Sequence, residues 1–437
     1  MLAPPFSFSA FVALSLVPLA QAHPIENPVE SRLPTRWFHH EDHPVHALFR
    51  RGDNGEQFEE PGSPAWTDAY PVLTPNATAM PQAWKDALKA AEDAGKIPRI
   101  PQSKSDGDDP VYPKGVDPES PEVCSTTPKC RQPDDIWDAP AGYFGTGFDD
   151  GPYLGSSMLY DFLEEKHIGA THFMIGMYIR ADPATFVRAF NMEGADIAVH
   201  TYSHLYMTTL SNEDVLAQLA WTMQIIHDTT GGRVPRYWRP PYGDADNRVR
   251  AIAKEVLGMQ IIMWNQDTED WSMGQTGGTT KEQIAKSMSQ WLAGPKTTGL
   301  IVLEHELNNA TVQAFIDAVP EIEANGWKMV SQARLADGDL DNGQAGVWQN
   351  AADSTGDVNP MSVGDSAVGP APTATENDNS NPDETSGADD AGATTDPDNH
   401  SATGEGDDQS GSLSSFSQPS LPSCLALFAT LISLTLA

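Results

Sequence analysis

Over residues 140–337 the chain keeps repeating one unit, a short apolar run followed by a segment of helical periodicity. No other feature constrains the fold as strongly. Residues 143–148, 171–175, 197–200, 237–239, 260–264, 300–303 and 328–330 read as strands, with helical patterns such as 212–227 and 280–292 between them. Ser211, with Asp214 three residues on, resembles a capping box at the start of the first of these helices. Such alternation predicts a mainly parallel sheet, here a distorted (β/α) barrel of about seven parallel strands.

In folds of this kind reactive side chains collect where strands end, because the loops converge there. Five of the expected strands end in polar groups. They are Phe148-Asp149-Asp150-Gly151-Pro152, His200-Thr201-Tyr202-Ser203-His204, Arg239-Pro240-Pro241-Tyr242, Asp267-Thr268-Glu269-Asp270-Trp271 and Leu303-Glu304-His305. His200 and His204, separated by three residues, can converge on one ion, and a carboxylate from a neighbouring strand completes a three-ligand site. Three ligands leave a position open, the catalytic arrangement, and zinc or another divalent ion such as cobalt suits these donors. Position 201 is Thr, so the base of a His-Glu-x-x-His helix is missing and must come from elsewhere. The Asp149-Asp150 doublet can supply both a ligand and a base. The chain contains no G-x-S-x-G elbow, and hydrolysis by an activated water needs no serine or cysteine nucleophile.

These five segments resemble the motifs of the polysaccharide deacetylase family, the carbohydrate esterases that share the NodB homology domain. The family motifs have the forms T-F-D-D-G-P, H-S/T-x-x-H, R-x-P-Y, D-x-x-D-W and L-x-H. Counterparts occur here in that order from Gly147 to His305, and within the family the chain is similar to the fungal chitin deacetylases. The resemblance implies one divalent cation, Zn2+ or Co2+, held by Asp150, His200 and His204. It implies Asp149 as general base, Arg239 as its orienting partner and the Tyr242 backbone N–H as an oxyanion donor. His305 becomes the general acid, oriented by Asp270, with Asp267 as the alternative partner. Trp271 and Leu303 are expected to line an acetyl pocket. The implied reaction is hydrolysis of N-acetyl groups of N-acetylglucosamine units in chitin, giving chitosan and acetate. Two departures stand out: Gly147 occupies the place of the motif threonine, and Glu306 follows His305 where many members have aspartate.

The ends of the chain point to export. An apolar run closed by Ala20-Gln21-Ala22 reads as a signal peptide over residues 1–22. An apolar C-terminus behind a polar spacer and small residues reads as a GPI-anchor propeptide over 411–437, with attachment at Ser410. A single spanning helix is the competing reading of that tail. Residues 23–138 are a Pro-rich flank with one amphipathic helix around 81–94, 139–338 the catalytic domain, and 339–410 a disordered acidic stalk. Cys124 and Cys130 are close enough to form one disulfide in an oxidising compartment, and Asn76, Asn309 and Asn399 open glycosylation sequons. The net charge of −35 argues against a nucleic-acid partner. The expected setting is therefore the cell wall and the outer face of the plasma membrane, with the protein acting as a monomer.

Other features have blander readings. His39, His40, His43 and His46 read as a solvated cluster rather than a metal site, and Arg50-Arg51 resembles a dibasic processing site. Among Trp66, Trp84, Trp137, Trp238 and Trp291, Trp238 is the leading candidate to stack on a sugar, core packing being the alternative. The same machinery would serve acetylated xylan or peptidoglycan, and a non-catalytic wall mannoprotein is the remaining alternative. A binding module has no use for a complete set of acid, base and metal ligands.

Overall fold

A strand buried along almost its whole length must have partners on both edges and cover on both faces. β1 (Tyr143–Gly151) is such a strand. The computed structural model describes residues 38–40, 42–49, 58–106, 109–335 and 346–350. The expected signal peptide, Arg50-Arg51, most of the expected stalk, Asn399, Ser410 and the apolar tail lie outside them. The remaining strands are β2 (Ala170–Met174), β3 (Ala195–Val199), β4 (Tyr237–Trp238), β5 (Gln260–Ile261), β6 (Gln266–Asp267), β7 (Leu300–Leu303) and β8 (Lys328–Ser331). Every pairing between them is parallel, in the order β5-β4-β3-β2-β1-β7-β6. β8 joins the first half of β1, with Thr146 opposite Ser331, and β2 takes over from Gly147 opposite Thr171.

The two edge strands of this path, β5 and β6, are separated only by residues 262–265. The sheet therefore curls until its edges are consecutive pieces of one chain, a distorted (β/α) barrel. One strand over 260–264 was expected. Instead the chain pairs with β4 as far as Ile261, bends, and then pairs with β7 from Gln266. The bend is held by Met263 N–H donating to the Ile136 carbonyl and Asn265 N–H to that of Ile301. β6 carries only Gln266 and Asp267, so no apolar run announces it. Helices cover the outside, and the longest, Asn212–Thr229, is capped by Ser211, whose hydroxyl accepts the Asp214 N–H.

The N-terminal flank is part of the folded body. Trp84, on the helix Gln82–Asp93, is 2% exposed and meets Trp221 edge-on at 5.1 Å. Tyr70 donates to Asp228 at 2.9 Å, and Arg180 Nε donates to the Thr67 carbonyl at 3.1 Å. Cys124 and Cys130 are disulfide-bonded, and both carbonyls of that loop accept from Arg250 on the helix Asn247–Glu255. The solvated reading fails for part of the histidine cluster: His39 and His43 stack at 4.5 Å and bond to the carbonyls of Gly258 and Lys254. Burial brings the His43 pKa down to about 4.

The expected stalk boundary at 338 is also too early. Residues 346–350 return to the barrel, where Trp348 is 2% exposed and bridges Pro235, and Gln349 N–H donates to Val234. Asn350 donates to the Gly232 carbonyl, and the Gln349 carbonyl accepts from Phe38. Among the described residues no helix is long and apolar enough to cross a membrane.

Trp84→Ala should lower the unfolding free energy by about 3–5 kcal/mol, because it removes a buried aromatic from a packed contact. Denaturant unfolding checks this, and a loss below about 1 kcal/mol would show that the flank merely leads into the barrel.

Candidate active site

The five polar strand ends meet at one mouth of the barrel. β1 delivers Asp149 and Asp150, β3 leads into His200 and His204, and β4 into Arg239 and Tyr242. The turn after β6 carries Asp270, and β7 leads into His305. Five of the eight non-glycine residues with left-handed backbone among those described lie in these segments: Asp150 (φ 71°), Thr201 (61°), His204 (55°), Tyr242 (58°) and Glu269 (54°). Such conformations cost of order 1–3 kcal/mol each and persist where surrounding contacts impose them.

Asp150, His200 and His204 are brought together, their ligand atoms all within 4.8 Å of one another. Asp150 Oδ1 lies 3.3 Å from His200 Nε2 and 3.2 Å from His204 Nε2. His200 Nδ1 is 2.8 Å from the Arg239 carbonyl. It therefore carries the proton, and Nε2 presents a lone pair to the cluster. Burial lowers the His204 pKa to about 4 against the pull of Asp150, so this ring is neutral at neutral pH. For Asp150, burial alone would favour the neutral acid, but His204 and His200 hold it well below the usual carboxylate range. Its Oδ1 is buried without a hydrogen-bond partner. Converging lone pairs around an orphaned carboxylate oxygen fit a divalent cation.

Two carboxylates are held apart from this triad. Asp149, 2% exposed, accepts from Arg239 Nη1 at 2.7 Å, while its Oδ2 lies 3.8 Å from His200 Nε2. Arg239 is fully buried, and its other donors reach the carbonyls of Ile262 (3.0 Å) and Met263 (3.1 Å) and Gln332 Oε1 (2.5 Å). Asp270 takes the ring Nδ1 and the backbone N–H of His305: Oδ1 is 2.6 Å from Nδ1, and Oδ2 accepts the backbone N–H at 2.9 Å. Asp267, the alternative partner, accepts instead from the Glu269 N–H, and burial raises its pKa to about 6. Burial opposes a charged His305, but Asp270 outweighs it and, with Asp150 and Asp149, raises the pKa to about 10.

The polysaccharide deacetylase family profile matches residues 139–262. Chitin deacetylase 3 of Cryptococcus neoformans is 40% identical over 306 residues, spanning 69% of this chain and 72% of that protein. The chain belongs to the polysaccharide deacetylase family. Chitin deacetylase of Amylomyces rouxii is 41% identical over 199 residues, 44% of each chain. Among solved structures, the chitin deacetylase of Colletotrichum lindemuthianum matches with a TM-score of 0.42 and 25% identity, over 46% of this chain and 91% of that one.

As a polysaccharide deacetylase the protein is a hydrolase, and its other expected site residues can be placed against that frame. Tyr242 is 43% exposed at the mouth, stacked on Tyr206 at 4.1 Å and edge-on to His204 at 4.6 Å. Trp271 is half-buried and Leu303 buried. Trp238 must be corrected: it is 1% exposed within β4 and its ring belongs to the core, as do Trp66, Trp84 and Trp137. The alternation of β4 turns Trp238 away from the face to which its neighbour Arg239 reaches. Asn76 and Asn309 are exposed, each in the first turn or cap of a helix.

Three further residues were not singled out. Gln332 meets Arg239, and Tyr206 backs Tyr242. Burial, then Asp270, holds the Glu304 carboxyl well above the usual range. Gly147, as the one small residue where the motif has Thr, was the only sequence sign of Gln332.

In metal-free protein, the His305 ring followed by NMR should stay protonated to about pH 10, and Asp270→Asn should bring that titration down. The folded pKa exceeds the ordinary 6.5, so the pair stabilises fully below that pH and loses its contribution as pH rises through about 10. The difference in unfolding free energy between wild type and Asp270→Asn should therefore shrink with rising pH. A difference that stays constant would refute the assignment.

Proposed function

We propose that the protein is a metal-dependent chitin deacetylase, hydrolysing the N-acetyl groups of N-acetylglucosamine residues to give chitosan and acetate. One observation carries this reading: a carboxylate locked by Arg239 and an imidazole locked by Asp270 flank the Asp150-His200-His204 triad. Amide hydrolysis asks for these parts, a base for the attacking water, an acid for the departing amine and an electrophile for the carbonyl. Relatives named chitin deacetylase at about 40% identity support chitin as the polymer.

A divalent ion held by Asp150, His200 and His204, zinc or cobalt, would polarise the acetyl carbonyl and acidify water. Asp149, its Oδ1 committed to Arg239, is left with Oδ2 to take the proton from the attacking water. Arg239 keeps that carboxylate fixed. His305, protonated at working pH, gives its proton to the leaving nitrogen, and Asp270 holds the ring by Nδ1 so that Nε2 is the donor. The Tyr242 N–H is an oxyanion donor, and Trp271 with Leu303 lines the acetyl pocket. The setting we infer is the cell wall and outer membrane face, reached through the signal peptide and a GPI anchor at Ser410, with glycans on Asn76, Asn309 and Asn399 and the enzyme monomeric.

Purified protein should release acetate from chitin oligomers, lose that activity to a chelator and regain it with zinc or cobalt. Release only from acetylated xylan or peptidoglycan would move the substrate, and release from none would remove the reading. Asp149→Asn should keep the metal yet lose about 10²–10⁴-fold in kcat, the usual worth of a general base. His200→Ala should lose both, and wild-type turnover by Asp149→Asn would reassign the base.

A further inference from the structure

We propose that Gln332 is a positioning residue for the Arg239–Asp149 pair, and that glycine at position 147 is what admits it. This rests on the reading of Asp149 as the general base. Gln332 follows β8 directly and is fully buried. Its amide is used at both ends: Oε1 accepts from Arg239 Nη2 at 2.5 Å, and Nε2 donates to the Gly145 carbonyl at 3.0 Å. The guanidinium thus spends Nη1 on Asp149 and Nε on Ile262, and divides Nη2 between Met263 and Gln332. In a site with no solvent, an aliphatic side chain at 332 leaves a charged donor without its acceptor, a penalty relieved only if the guanidinium moves. A carboxylate there would compete with Asp149 for the same cation. A neutral amide does neither.

Position 147 decides whether the amide fits. A Cβ on Gly147 would lie 2.7 Å from Gln332 Cδ, 2.8 Å from Nε2 and 3.0 Å from Oε1. The threonine found in the family motif and this glutamine therefore exclude each other in the present arrangement. The departure at 147 and the unexpected partner at 332 are one structural substitution: β1 gives up a side chain, and the turn after β8 lays an amide across the vacated place. The hydroxyl of a threonine at 147 would sit in that same place and could accept from Arg239 instead.

The test is a two-site exchange assayed by acetate release from chitin oligomers. Gln332→Leu should lower kcat about tenfold, the worth of one hydrogen bond to a charged group, with KM within about twofold and metal content unchanged. Gly147→Thr alone should be impaired through collision with Gln332. The double variant Gly147→Thr/Gln332→Ala should be more active than either Gly147→Thr or Gln332→Ala alone. Wild-type kcat in Gln332→Leu, or strictly additive losses in the double variant, would overturn the proposal. If Gln332→Leu does not fold, the double variant decides. If the wild type leaves chitin untouched, the substrate reading falls, and the crystal structure of Gln332→Leu decides this one. Loss of the 2.7 Å Arg239–Asp149 contact supports it, and retention sinks it.

Discussion

The Arg239 side chain is the point at which most of the architecture meets. It carries a full charge at a fully buried position, which is tolerable only if every donor is matched. The matches come from β1 through Asp149, from the bend between β5 and β6 through Ile262 and Met263, and from the turn after β8 through Gln332. Its face lies on the Phe173 ring of β2 at 4.0 Å, and its own carbonyl accepts from His200. The closure of the barrel and the geometry of the Asp149 carboxylate are thus one constraint. A sheet that did not bend at 262–265 would present no carbonyls there, and the guanidinium could not stay.

Burial does different work on each titratable group at the mouth. It makes His204 a neutral ligand, while the neighbouring imidazoles hold Asp150 ionised, the protonation that the proposed ligand set needs. It fails to neutralise His305 only because Asp270 is placed against the ring. The proposed acid and base are therefore distinguished by their partners: each has one fixed neighbour of opposite charge.

Much of this was legible in the sequence. Apolar runs marked seven of the eight strands, and acids and imidazoles at their ends marked the site, because a strand's end is fixed by where its apolar run stops. β6 was not legible, since a two-residue polar strand is made by its neighbour's backbone and not by its own side chains. Trp238 misled because adjacency to Arg239 in sequence means opposite faces in a strand. The choice between Asp267 and Asp270 needed coordinates: one ends β6 and the other lies in the turn after it, and only the observed geometry puts the Asp270 carboxylate against the ring. Gln332 lay beyond every motif because its role depends on the empty place above Gly147. Outside the helix read around 81–94, the flank and residues 346–350 looked featureless for a similar reason: short, irregular segments dock one or two aromatics each, leaving no periodicity to read.

Residues 346–350 run antiparallel to residues 232–236, the approach to β4, and so away from the end that carries Arg239. Asn350 therefore lies toward the floor of the barrel, so a polymer meeting the mouth at Arg239 does not meet this segment.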